Sequence, residues 1–194
     1  MKKNNIREIP SVDEMKTELQ RIKYRRRYVK IIRSTLYTLI TVAAVAVLIA
    51  TLWMPVLQIQ GSSMTPTLYD NNIIVSVKTG SIESGDIIAF YYNNKVLIKR
   101  IIALPGDWVD IKSDGSVYVN GTLLDEPYLS EKSLGDCNIE FPYQVPAAKY
   151  FVMGEHRDTS VDSRNTAVGC VAEEQVVGKI LFRVWPLSEM GSIK

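Results

Sequence analysis

A chain of 194 residues has room for one ordinary domain and a small appendage, and a composition of 46% hydrophobic and 23% charged residues excludes wholesale disorder. The net charge of +2 conceals a division: residues 1–33 carry 11 Lys/Arg against 4 Asp/Glu, a net +7, whereas residues 34–194 carry 12 against 17, a net −5. The acidic larger part argues against nucleic acid as a partner, Cys137 and Cys170 without a Cys/His cluster argue against a zinc site, and a single histidine, His156, restricts imidazole chemistry.

In chain order, the first signal is the spacing of Ser11 and Glu14, which predicts a helix start that runs on into an apolar segment. No charged residue occurs from Ser34 to Tyr69, and Leu36 to Met54 is almost wholly apolar. Such a helix crosses a hydrocarbon core of about 30 Å, with Tyr37 and Trp53 suited to the two interfaces. Thirty-three residues precede the apolar segment and no small-x-small cleavage site follows it, so it reads as a retained anchor rather than a removable leader. Seven basic residues from Arg21 to Arg33 crowd its amino side, and none appears on the other side before Lys78. Positive flanks stay in the cytoplasm, so the expected organisation is a cytoplasmic basic segment 1–33, a single transmembrane anchor 34–55 and an extracellular domain 56–194. The lipid bilayer is then a partner, and the basic face can meet anionic lipid or simply be solvated.

Beyond the anchor, short β-branched and aromatic runs alternate with Gly, Asn, Asp and Pro. Strands are expected at 56–60, 73–77, 87–92, 96–104, 108–112, 116–119, 149–153 and 178–184, with Asn120-Gly121 as a tight hairpin turn. The fold class is mainly β: an antiparallel, barrel-like β domain preceded by one N-terminal transmembrane helix. Leu129 to Asn138 reads as a longer irregular loop, and Cys137 and Cys170 admit either a disulfide or two buried thiols.

Three segments carry chemistry-bearing residues. Gln60 to Leu68 is a run of small hydroxyl residues just after a strand, either a flexible spacer or the seat of a nucleophile. Val96 to Leu104 is an apolar strand interrupted by Lys99-Arg100; adjacent strand residues face opposite ways, so one of the two points inward or snorkels. A desolvated lysine becomes a base near neutral pH and an arginine does not, so a base here is Lys99, although a solvated bump on an edge strand has the same sequence. Gly154 to Arg164 holds opposite charges at high density, as an exposed polar loop or as a paired network.

In that order these segments resemble the bacterial type I signal peptidases, membrane-anchored serine proteases with a Ser/Lys dyad. Ser63-Met64-Thr65-Pro66-Thr67-Leu68 is similar to the family's nucleophile motif, Lys99-Arg100 with Leu104-Pro105-Gly106-Asp107 to its lysine segment, and Gly154 to Arg164 to its charged box. Ser84-Gly85-Asp86-Ile87, Asn120-Gly121 before Glu126-Pro127-Tyr128, and Val177-Gly178-Lys179 are smaller likenesses. The resemblance implies Ser63 as nucleophile, Lys99 as general base, Ser160 as a hydroxyl that orients the lysine, and Asp162 and Arg164 as structural partners. It also implies signal-peptide-bearing precursor proteins as substrates, bound as an added strand with small side chains at the first and third positions before the cut. Met64 is a candidate lining residue of those pockets. Gly61 stands where some members have an oxyanion-hole serine, leaving the Ser63 N–H as the expected donor and the Ser62 hydroxyl as a further candidate. Glu155-His156 replaces the common Asp-Asn, and the absence of a large insertion resembles the compact Gram-positive forms.

The dyad needs no metal and no cofactor: Lys99 takes the Ser63 proton during attack, passes it to the leaving amine and then activates water. A Ser63–His156–Asp158 triad is the rival arrangement. A self-cleaving repressor-type Ser/Lys protease and a non-catalytic anchored β domain binding an envelope partner are the alternative functions. Ser63 follows Met54 by nine residues, so an extended connection places it within about 30 Å of the anchor's end.

Overall fold

The computed structural model describes residues 11–78 and 80–193, so the first ten residues of the expected segment 1–33 lie outside it. The chain forms two units, 1–49 and 50–194. A single helix, α1 (Val12–Trp53), accounts for the described part of the first unit and runs into the second. It starts where the capping box predicts: Glu14 N–H donates to Ser11 Oγ at 3.3 Å, and Ser11 N–H donates back to Glu14 Oε2 at 2.8 Å. Those bonds hold the Glu14 carboxyl below its usual range. Its stretch from Leu36 to Trp53 is long and apolar enough to cross a membrane, and Leu36, Ile40, Val47 and Leu52 are exposed, as lipid-facing side chains would be.

The second unit is built from strands β1 (Val56–Gln58), β2 (Ile73–Val77), β3 (Ile87–Tyr92), β4 (Lys95–Ala103), β5 (Trp108–Ile111), β6 (Val117–Val119), β7 (Thr122–Leu123), β8 (Tyr143–Gln144), β9 (Lys149–Met153), β10 (Val171–Ala172), β11 (Val176–Trp185) and β12 (Gly191–Ser192). The larger sheet has the order β1-β2-β11-β3-β4-β9-β10, with β12 added to β11, and the smaller has the order β7-β6-β5-β8. All pairings are antiparallel. The expected strands all form. The barrel does not close, because the larger sheet ends on β1 and β10, three and two residues long, which leave no continuous pair of edges to join. Short additional strands, β7, β8, β10 and β12, have too little sequence to show a period of their own and exist because a longer partner is present.

The two faces of β3 explain the core. Ile87 and Ala89 pack with Ile59, Met64, Leu68, Ile74 and Ile180, while Ile88 and Phe90 pack with Ile101, Tyr150, Val152 and Val171. A third cluster, Ile102, Val109, Val117, Val145 and Phe151 among its members, joins the two sheets. The sheet is thus buried on both sides through β3 and β4, which is why these strands read as near-continuous apolar runs. Cys137 and Cys170 are separate, half-buried thiols; the Cys137 thiol approaches the Ile139 carbonyl and Cys170 the Tyr143 hydroxyl, and burial raises the Cys170 thiol.

Candidate active site

The hydroxyl-rich run after β1 is a fixed turn, not a spacer. At Gly61 the backbone enters the left-handed region, φ +93°, where a glycine carries no steric cost, and its N–H donates to Asp70 Oδ1 at 2.8 Å. Thr65 N–H and its hydroxyl both donate to the Ser62 carbonyl, at 3.1 and 2.8 Å, and Leu68 N–H donates to the Met64 carbonyl at 2.7 Å. Met64 and Leu68 are sunk into the core at 2% and 0% exposure, so the turn is pinned on both sides of Ser63, whose side chain stays half-buried at the surface. Ser62 is exposed, and among the described residues the Ser63 N–H has no hydrogen-bond acceptor.

Lys99 and Arg100 are both buried, at 4% and 3% exposure, where the sequence led us to expect only one inward. Strand β4 lies between β3 and β9, not at an edge, and each of its faces is covered. Lys99 Nζ lies 2.7 Å from Ser63 Oγ and, among the described residues, bonds to nothing else. Burial is the largest influence on this amine and lowers its pKa to about 8; the nearby Asp162 carboxylate opposes the shift and the Arg164 guanidinium adds to it. On the opposite face, Arg100 pairs with Glu155, donates to the Gly85 carbonyl, and lies beneath the Tyr128 ring, 4.1 Å from its centroid. Burial, with the neighbouring Glu126 carboxylate, pushes the Tyr128 phenol well above its usual range.

The segment after β9 is the paired network that its charge density suggested. Asp162 and Arg164 are fully buried and bidentate, with both bonds at 2.8 Å. Arg164 also donates to the carbonyls of Leu134, Arg157 and Ser160. The Ser160 hydroxyl donates to Asp162 Oδ2 at 2.7 Å and forms no bond to Lys99. The hydroxyl's proton goes to Asp162, the stronger acceptor, and that carboxylate acts on the Lys99 amine, so in this arrangement Ser160 reaches the lysine through Asp162 rather than through a bond of its own. Gly154 packs against both serines: a Cβ there would lie 2.1 Å from Ser160 Oγ and 2.7 Å from the Ser63 carbonyl oxygen. The His156 imidazole is exposed and unbonded, and Asp158 accepts instead from Ser133, so the triad of Ser63, His156 and Asp158 does not assemble. His156 contributes its backbone N–H, which donates to the Ser63 carbonyl at 3.1 Å.

Several site-building residues escaped the reading of the sequence. Glu155 holds both halves of the site: Oε1 takes Arg100, next to Lys99, and Oε2 accepts from Thr67 N–H at 3.3 Å, four residues beyond Ser63. Glu126 pairs with buried Arg157 and accepts from the Tyr128 hydroxyl, so Glu126-Pro127-Tyr128 is a cap over this network. Asp70 had one available signal, as the first charged residue after 36 uncharged positions.

A cavity of about 120 Å³ includes Ser63 and Lys99 in its lining, together with Gln58 to Gly61, Val96 to Ile98 and Met64. No cluster of His, Cys, Asp and Glu suited to a metal occurs among the described residues.

The chain is similar to known proteins over this whole arrangement. Residues 31–185 match the family described as signal peptidase, peptidase S26. A signal peptidase IB of Staphylococcus aureus is 42% identical over 152 residues, covering 68% of this chain and 78% of the relative. A signal peptidase I of Bacillus licheniformis is 38% identical over 148 residues, covering 68% and 77%. Among solved structures, a signal peptidase I from Enterococcus faecalis matches 52% of this chain and 97% of its own, with 31% identity and a TM-score of 0.42. The extent of the family match and the identity to curated relatives place the chain in the signal peptidase, peptidase S26, family.

Proposed function

We propose that the protein is a membrane-anchored serine endopeptidase that removes signal peptides from secreted precursors, with Ser63 as nucleophile and Lys99 as general base. The observation that carries this reading is the 2.7 Å contact between Lys99 Nζ and Ser63 Oγ, with an amine whose pKa lies at about 8. The neutral amine takes the Ser63 proton as Oγ bonds to the scissile carbonyl carbon. The free Ser63 N–H faces the developing oxyanion, with the Ser62 hydroxyl close enough in sequence to assist. The C–N bond breaks as Lys99 returns that proton to the leaving amine. Lys99 then takes a proton from water, whose oxygen attacks the acyl carbonyl, and gives it back to Ser63 Oγ as the ester breaks. Ser160, Asp162 and Arg164 hold the shape and charge around Lys99, and no metal or cofactor takes part.

The extended backbone beside this small cavity suits a substrate strand with small side chains before the cut. The apolar part of α1 spans the bilayer with its basic flank in the cytoplasm and the β unit outside. Enzyme and precursor then share one membrane, which raises their effective concentration. The test is cleavage of a precursor carrying an Ala-x-Ala site by the full-length protein in detergent. Wild type is expected to cleave at the predicted bond. Ser63→Ala and Lys99→Ala should fall to background while still showing a cooperative melting transition. Full activity in either variant defeats the proposal and favours a non-catalytic binding domain.

A further inference from the structure

A second cavity, of about 270 Å³, borders the same nucleophile turn and shares no residue with the first. Consecutive residues divide the two: Ser63 and Met64 line the smaller cavity, and Thr65 lines the larger one. His156, whose N–H holds the Ser63 carbonyl, lines the larger cavity as well. A polypeptide cut at Ser63 must extend to both sides of the nucleophile. The smaller cavity, between the end of β1 and the start of β4, matches the constrained, small residues before the cut. The residues after it belong to the secreted protein, and the larger cavity, lined by Thr65 two residues beyond Ser63, is the next space along the nucleophile turn for them.

The charges in this cavity decide what it prefers. Glu155 and Arg157 line it, but each is neutralised, by Arg100 and Glu126 respectively. Glu131 is exposed and, among the described residues, its carboxylate makes no hydrogen bond and Asp158 uses only one oxygen, which accepts from Ser133. The exposed His156 imidazole is also unbonded. The lining therefore presents two carboxylates without a cation, next to hydroxyls of Thr65 and Ser130.

We infer that this cavity is the subsite for the first residues after the cut, and that Glu131 and Asp158 make it select a basic side chain there. The inference rests on Ser63 being the nucleophile. Within about three extended residues, at 3.3 Å each, a chain leaving Ser63 reaches past Thr65. Glu131 is the specificity-determining residue of the pair, since it is free of any structural bond; Asp158 also ties down the loop through Ser133.

The test uses the full-length protein and peptides identical up to an Ala-x-Ala site, with Lys, Ser or Glu as the second residue after the cut. The Lys and Glu peptides compete in one reaction, so their ratio of kcat/KM does not depend on how much enzyme is folded. Wild type is expected to prefer the Lys peptide by about three- to fivefold, the worth of one partly solvated ion pair. Glu131→Gln should bring the ratio near parity and Glu131→Lys should invert it, while Glu174→Gln, the same charge change outside the cavity, leaves it as in wild type. Equal cleavage of all peptides by wild type, or a ratio unchanged in both Glu131 variants, overturns the subsite alone. Failure to cleave any of the three peptides overturns the Ser63 assignment and the subsite with it.

Discussion

Lys99 illustrates how a residue's chemistry is set by what covers it. The same amine on an exposed strand would keep its proton to about pH 10.4. At 4% exposure it releases the proton near pH 8, and at pH 7 about one molecule in ten carries the neutral base. Activity should therefore rise about tenfold per pH unit on the acid side and level off above about pH 8. Peptide cleavage followed from about pH 6 to about pH 10 checks this, with Lys99→Arg expected to stay inactive throughout, since a guanidinium retains its proton. That a base in this pair would be Lys99 and not Arg100 was legible from residue chemistry alone. That both side chains are buried was not: strand alternation places them on opposite faces but does not say that each face is covered.

At the scale of elements, the segment from Gly154 to Arg164 acts as a brace between the nucleophile turn and β4. Glu155 joins Arg100 to the Thr67 N–H, the His156 N–H holds the Ser63 carbonyl, and Gly154 leaves room for Ser160. Removing the Glu155 carboxylate leaves the Arg100 guanidinium buried without its anion, at a cost of about 3–5 kcal/mol. Glu155→Ala should lower the unfolding free energy by that amount, seen as a lower chemical-denaturation midpoint, whereas Arg100→Met combined with it should recover part of the loss, because no buried charge is then unpaired. Chemical denaturation of the single and double variants measures both. The charge density of this segment was visible in the sequence as a candidate network. Its pairing was not, because Arg157 finds Glu126 and Arg100 finds Glu155 across 31 and 55 residues, distances over which no local pattern operates. Long strands and the capped start of α1 were legible because they rest on local periodicity and side-chain caps; β8 and β10 were not, because two residues carry no period.

For the whole molecule, the burial that creates the base works against stability. Unfolded Lys99 binds its proton up to about pH 10.5 and folded Lys99 only up to about 8, so between these values the unfolded state holds more protons and stability rises with pH. Lys99→Met, similar in shape but uncharged, should stabilise the protein at pH 7 by up to about 3 kcal/mol while abolishing cleavage, and the gain should vanish toward about pH 10.5. Melting curves at a series of pH values test the direction. The amino-acid sequence alone determined the apolar helix and its basic flank and the β character of the rest, because hydropathy and period belong to short stretches of chain, while Ser63 and Lys99 stood out as candidates through their resemblance to a family's motifs. Tertiary structure alone decided that β4 is central, that Ser160 bonds Asp162 and leaves Lys99 to Ser63, and that His156 serves through its backbone. Each of those outcomes depends on which distant groups share a dry interior, where the strongest available partner takes the bond.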